Sequence, residues 1–320
     1  MTVLCAGQRV CQAAAVVDDL DLDAAVRVAA MAYVQALVDR GGGLVRRTDL
    51  ESFTFGGRRM PLLDQSRGIR NPAGLPATLS ILTTRSSPYQ DTVDTVGTEG
   101  FLRYAMRAGD PAGGDNRKLR RAHELAVPLI WFQQVAPGVF AAVMPVYLVA
   151  EETSQRRYVV ALGEDQKLEA PALLSGSVTD VQRRYAERLS RQRLHQPAFR
   201  AGVMLAYRSR CAICALTHAD LPDAAHIIED GRPGGDPVVP NGLALCKIHH
   251  AAYDRGILGV SADLVVHIDR QVLDEVDGPM LRHGLQDFHG QGLRVLPRRR
   301  KDQPDRDRLA ERFERFAAAG

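Results

Sequence analysis

No stretch of the 320 residues is long and apolar enough to span a bilayer. The opening "MTVLCAGQRVCQAAAVVDDLDL" is apolar and rich in small residues, but it lacks a basic leading segment and runs straight into Asp18, Asp19, Asp21 and Asp23. A secretory signal is therefore not expected, and the chain is read as cytoplasmic with no membrane partner. Cysteine is scarce and odd in number: five in all, three of them between 211 and 246. That clustering argues against a disulfide framework and for a metal site in a reducing compartment. No internal repeat is present. Net charge is nearly balanced, +3 from 41 basic and 38 acidic residues, and by itself excludes little. Acid is missing locally, however. Between Arg183 and Arg210 a single acid, Glu187, stands against eight arginines, and "RRRK" fills 298–301. Such density suits phosphate contacts, the alternative being a solvated helix face. With 45% hydrophobic and 25% charged residues, the composition is that of a soluble globular chain long enough for two domains.

The pattern along the chain predicts an α+β protein. Residues 22–40 have helical apolar spacing, with Asp21 or Asp23 at the start and "GGG" at 41–43 as the stop. Residues 56–100 read as short strands and loops, with runs such as "ATLSILTT" and "TVDTVG". A helix is expected over 117–126, ended by Pro128, followed by strands at "LIWFQQV", "VFAAVMPVYLVA" and "RYVVALG". Trp131 and Phe132 are read as core. Residues 45–165 thus form a mostly β unit with one or two helices. A break is expected at 169–177, then a helix over 179–193 capped by Thr179 or Asp180. Beyond it lie a compact module, a basic loop, Pro304 and a final amphipathic helix. The division expected is 1–168, a basic helical linker at 169–199, and 200–320.

Cys211-Ala-Ile-Cys214 and Cys246-Lys-Ile-His249 are two knuckles of two-residue spacing, separated by 31 residues. Four such ligands suit tetrahedral zinc, which would fasten two distant chain segments in a module with little core of its own. His218 is a rival fourth ligand. Between the knuckles come His226 in the strand-like "AAHII", a Gly/Pro-rich turn, and Asn241-Gly242-Leu243; His250 directly follows the second knuckle.

This ordered set resembles the HNH nuclease family over about residues 199–260. The resemblance implies a ββα-metal fold around a catalytic Mg²⁺ or Mn²⁺. It further implies His226 as general base on the attacking water, Asn241 as the brace of the loop, and His250 as ligand of the catalytic cation. His249 and His250 can serve two sites because neighbours at a helix start project roughly 100° apart. Many family members carry an acid just before the first histidine, where this chain has Ala225. Two arrangements are then open: His250, substrate phosphate and waters hold the cation, or another acid helps, for which Asp254, one turn after His250, is the candidate.

In the first half, residues 87–119 hold Tyr89 and Asp91, then Tyr104, then a Gly/Asp-rich run and Asn116-x-x-Leu119. This is similar to the SRA family, of SRA/PUA-like fold, which flips modified cytosine into a pocket of aromatics and an acid. The resemblance implies Tyr89, Tyr104 and Asp91 as the pocket, with Asp94 the alternative acid. Arg58, Arg59, Arg183, Arg184 and Arg208 are expected at the DNA backbone. The chain as a whole resembles Mcr-type modification-dependent restriction enzymes, which implies a type IV-like endonuclease acting on double-stranded DNA with modified cytosine. Cutting both strands would call for a homodimer or two binding events. The competing readings are an HNH nuclease of other specificity (sequence, phosphorothioate or DNA structure) and a non-catalytic zinc protein that binds DNA.

Overall fold

A computed structural model describes residues 19–64, 66–84, 97, 99–218 and 220–319. Helix α1 (Asp19–Arg40) buries Val26, Ala30, Val34 and Leu37, the spacing that builds one apolar helix face. Its polar exception is the Asp23–Arg27 ion pair, both side chains 2% exposed. It survives burial because Arg27 also donates to the carbonyls of Thr78 and Pro128, at 2.9 and 2.7 Å. The chain turns at Gly42 and Gly43, both at positive φ.

Short elements follow: β1 (Val45–Arg46), α2 (Arg47–Glu51), β2 (Thr54–Phe55), β3 (Arg58–Arg59) and β4 (Ile69–Arg70). The sheet proper is completed by β5 (Ser80–Thr83), β6 (Leu102–Ala105), β7 (Leu129–Ala136), β8 (Val139–Glu152) and β9 (Arg157–Leu162), with α3 (Gly114–Glu124) between β6 and β7. Seven strands pair in the order β4-β5-β7-β8-β9-β6, with β1 added to β8. Among the described residues only the β5–β7 pairing is parallel; its crossover includes β6 and α3. The 14-residue β8 pairs with three strands and shifts register between Leu148 and Ala150, which curls the sheet. Period-two alternation sends β7 side chains to opposite faces. Ile130 and Phe132 join the core under α1, while Leu129 and Trp131 join the core under α3. Trp131 and Phe132 are fully buried, as their sequence setting predicts.

Helix α4 (Glu164–Leu174) occupies most of the expected break at 169–177. Pro171 lies inside it; Ala170 and Leu173 pack on the sheet, and that burial outweighs the lost backbone hydrogen bond. Helix α5 (Asp180–Ala206) opens with a capping box between Thr179 and Gln182. It passes the predicted end at residue 193 and contains Pro197. The reason is tertiary: Phe199, Val203 and Met204, beyond the proline, form part of the core of the last third of the chain. Leu194 and Ala201 meanwhile pack against the sheet. One helix thus belongs to both halves.

The last third holds β10 (Pro222–His226), β11 (Gly242–Cys246), α6 (Lys247–Asp254), β12 (Leu258–Val260), β13 (Val266–Ile268), α7 (Arg270–Asp274), α8 (Pro279–Gly284) and α9 (Arg306–Ala319). β10 and β11 are antiparallel, with His226 opposite Gly242 and Pro222 opposite Cys246. Gly242 is required by close packing: a Cβ there would lie 2.4 Å from Val203 and 3.0 Å from the Phe199 ring. Among the described residues, no helix is long and apolar enough to cross a membrane.

Candidate active site

The two knuckles meet. The ligand atoms of Cys211, Cys214, Cys246 and His249 all lie within 4.8 Å of one another. Cys246 Sγ is 3.1 Å and Cys211 Sγ 3.5 Å from His249 Nδ1, and Cys214 Sγ is 3.9 Å from Cys246 Sγ. Ligands bound to a tetrahedral zinc at about 2.3 Å would stand about 3.8 Å apart, so this donor set fits the ion. His249 is 1% exposed and is held edge-on by Phe288. Contact among the three thiols pushes the Cys246 thiol down and the Cys211 thiol up. His218 is exposed, beside Asp220, and outside the cluster.

The β10–β11–α6 unit places three further side chains. His226 ends β10 and lines a cleft of about 1080 Å³ that is also lined by His250 and Asp254. His250 Nε2 lies 3.3 Å from Asp254 Oδ2, the one-turn spacing of α6. The His226 ring stacks on Phe199, centroids 3.9 Å apart and planes 17° from parallel. Its Nε2 is shut from solvent with no hydrogen-bond partner among the described residues, which leaves Nδ1 as the nitrogen open to the cleft. Burial holds the imidazole below its ordinary 6.5, against the raising influence of Asp230, Asp254 and Glu229.

Asn241 is fully buried and grips the chain just past His226. Its Oδ1 accepts from Ile228 N at 2.9 Å, and its Nδ2 donates to the carbonyls of Ile228 and Asp236, each at 3.0 Å. Its own carbonyl accepts from Ile227 N at 2.9 Å. Ala225 is buried in the module core. Asp223, the acid nearest before it, is engaged by Arg200 at 2.7 Å and Lys247 at 3.1 Å.

The other expected residues are dispersed. Tyr89, Asp91 and Asp94 lie outside the described residues. Tyr104, expected at a base pocket, sits in the sheet core: it is 7% exposed, donates to the Gly68 carbonyl at 2.9 Å and stands edge-on to Trp131. Arg58 and Arg59 form the exposed strand β3, with Arg59 donating to the Glu51 carbonyl. Arg183 is 3.9 Å from Asp180, and Arg208 is exposed just past α5. Arg184 lines a groove with Arg188, His195, Arg232 and Asp230, and Asp230 also lines the His226 cleft.

Several cleft residues carried no signal in the sequence. Phe199 sits in the arginine-rich helix without a motif. Glu229 and Arg312 are joined only because α9, whose amphipathic pattern is visible in the sequence, folds back onto the module.

No curated protein matches the chain. Among solved structures, a modification-dependent TagI restriction endonuclease is 18% identical with a TM-score of 0.30, over 79% of this chain and 86% of that one. The type IV phosphorothioation-dependent restriction endonuclease ScoMcrA is 17% identical with a TM-score of 0.25, over 59% of this chain and 48% of that one. The family model described as HNH endonuclease matches residues 211–261, the span from the first knuckle through the end of β12, so this part of the chain is an HNH endonuclease domain.

Proposed function

We propose that the protein is a metal-dependent DNA endonuclease in which His226, through Nδ1, takes the proton of the attacking water. His250 and Asp254 are the residues that would hold a Mg²⁺ or Mn²⁺. When bound, such a cation stabilises charge developing on the scissile phosphate. The observation that supports this most is the shared cleft: an imidazole kept neutral by burial faces the same space as a histidine–aspartate pair. Phe199 fixes the ring plane and Asn241 fixes the backbone behind it, so the base is oriented before substrate arrives.

The finer reading is that the first half selects DNA carrying 5-methyl- or 5-hydroxymethylcytosine, as the resemblance over residues 87–119 implies. A half with its own two-faced core, joined to the nuclease domain by α5, is suited to such a reader. Cleavage of plasmids bearing plain cytosine, each of the two modified cytosines, or phosphorothioate links, with Mg²⁺ or Mn²⁺ at several salt concentrations, tests both levels. Cutting of the modified plasmids is expected, with a loss of about 10²- to 10⁴-fold in His226→Ala. Equal cutting of every plasmid removes the modified-base reading. Equal cutting by wild type and His226→Ala, or none by either, removes the nuclease mechanism.

A further inference from the structure

Residues 227–230 leave the strand that carries His226 and enter the loop that ends at Asn241. Asn241 holds this turn from one side, at Ile227 and Ile228. A second hold comes from α9, far outside the 211–261 segment that the family model matches. Arg312 Nη1 donates to Glu229 Oε1, and Arg315 Nη1 donates to Glu229 Oε2 at 2.8 Å. The same Arg312 guanidinium donates through Nη2 to the Tyr253 carbonyl at 3.0 Å and lies 4.8 Å over the Tyr253 ring. Tyr253 is buried and directly precedes Asp254 on the helix that carries His250. Arg312 is 13% exposed and lines the catalytic cleft.

We propose that Arg312 is a positioning residue of the nuclease site: it fastens the turn after the base-bearing strand to the end of the cation-holding helix, and so sets how far His226 stands from His250 and Asp254. This rests on the nuclease reading above. The planar guanidinium reaches acceptors on two elements at once, which a lysine ammonium on its flexible stem does not do with fixed geometry. Both Nη groups are already engaged by protein acceptors, so the geometry favours a link within the site over a direct phosphate contact.

The test compares Arg312→Ala, Glu229→Gln and the double variant in the full chain. It reads kcat and KM on a cleaved plasmid, zinc content, and hydrogen exchange at the Ile227 and Ile228 amides. The expected result is a fall in kcat of roughly tenfold to a hundredfold in each single variant, with KM and zinc content unchanged and faster exchange at both amides. The double variant is expected to lose less than the product of the two single losses, because both substitutions break the Arg312–Glu229 contact while Arg312–Tyr253 and Arg315–Glu229 are each altered by only one of them. Wild-type kcat in the single variants, losses that multiply in the double, a change in KM alone, or unchanged exchange would each overturn the proposal. If Arg312→Ala does not fold, Glu229→Gln decides by the same readings. If the wild type cuts no DNA, the nuclease reading falls; exchange at the two amides then still upholds or overturns the fastening.

Discussion

The HNH domain and the curled sheet place their important residues in opposite ways. In the domain, four metal-ligand atoms come from two short knuckles, and His250 follows His249 directly. Local spacing is enough to pair the ligands within each knuckle, and the 31 residues between the knuckles are closed where Ala212 N donates to the Ala244 carbonyl at 2.7 Å. In the sheet, partners are distant in sequence: Ile81 lies beside Trp131 in the parallel pair, and Tyr104 beside Tyr158. Which side chain faces which space there depends on register and on the curl of β8. Chemistry set on a metal knuckle can be read from a spacing, whereas chemistry set on a sheet depends on contacts that no spacing records.

The largest expected effect would break the molecule along that comparison. Zinc binding and folding are coupled in small knuckle modules, where binding contributes on the order of 10 kcal/mol. Cys211→Ser, or a strong chelator, should therefore unfold the last third of the chain while the sheet, with its two buried cores, keeps its own transition. Calorimetry of wild type and Cys211→Ser checks this. A melt unchanged by the substitution would count against a structural zinc.

Next comes the brace. Asn241→Ala removes three hydrogen bonds and leaves the buried backbone N–H and C=O of Ile228 without them, while the carbonyl of the exposed Asp236 keeps its bond from Val238 N at 2.8 Å. At about 1–3 kcal/mol for each buried group left unsatisfied, a loss of about 3 kcal/mol in the domain is expected, with zinc retained. Denaturant titration with parallel zinc analysis measures it. A loss under about 1 kcal/mol would mean the turn after His226 is held without Asn241.

A smaller effect concerns pH. Burial lowers the His226 value in the folded chain below 6.5, so the unfolded chain takes up this proton first. The stability tied to His226 is complete above 6.5, declines as pH falls through 6.5 toward the lowered folded value, and levels off below it. Melts of wild type and His226→Gln across about pH 7.5 to 5.5 isolate the contribution, since titration of the zinc ligands is common to both. The wild type should lose more stability than the variant on acidification. Parallel curves would place His226 in a more open setting than the stacked, half-buried one seen here.

How much was legible follows from these physical differences. The Cys3His cluster could be read because each knuckle is complete within four residues. The strands β7, β8 and β9 were legible because apolar runs of that length have few alternatives. The continuation of α5 through Pro197 was not, since a proline signals a helix end and only Phe199, Val203 and Met204 packing into the other half overrides it. The Glu229–Arg312 link was equally hidden: it joins residues more than eighty positions apart, and nothing in either neighbourhood names the other. Tyr104 shows the reverse case: its sequence setting resembles a base pocket, and the structure places its side chain in the sheet core. A tyrosine near an acid and a glycine-rich run reads as a pocket, but a half-apolar strand reads the same way.

The smallest expected effect uses that tyrosine. Tyr104→Phe keeps the ring and its edge-on contact with Trp131, 5.9 Å between centroids, and removes only the hydrogen bond to the Gly68 carbonyl. A destabilisation of about 1 kcal/mol in the sheet is expected, read by calorimetry as a small shift in its own transition. Affinity for duplexes with and without modified cytosine should stay the same as in wild type, because a core side chain acts through stability alone. A stacking or hydrogen-bonding partner of an extruded base would behave otherwise: its loss would change the ratio of the two affinities and leave the melt nearly still. The pair of measurements therefore decides whether Tyr104 belongs to the sheet's interior or to a surface that opens when DNA binds.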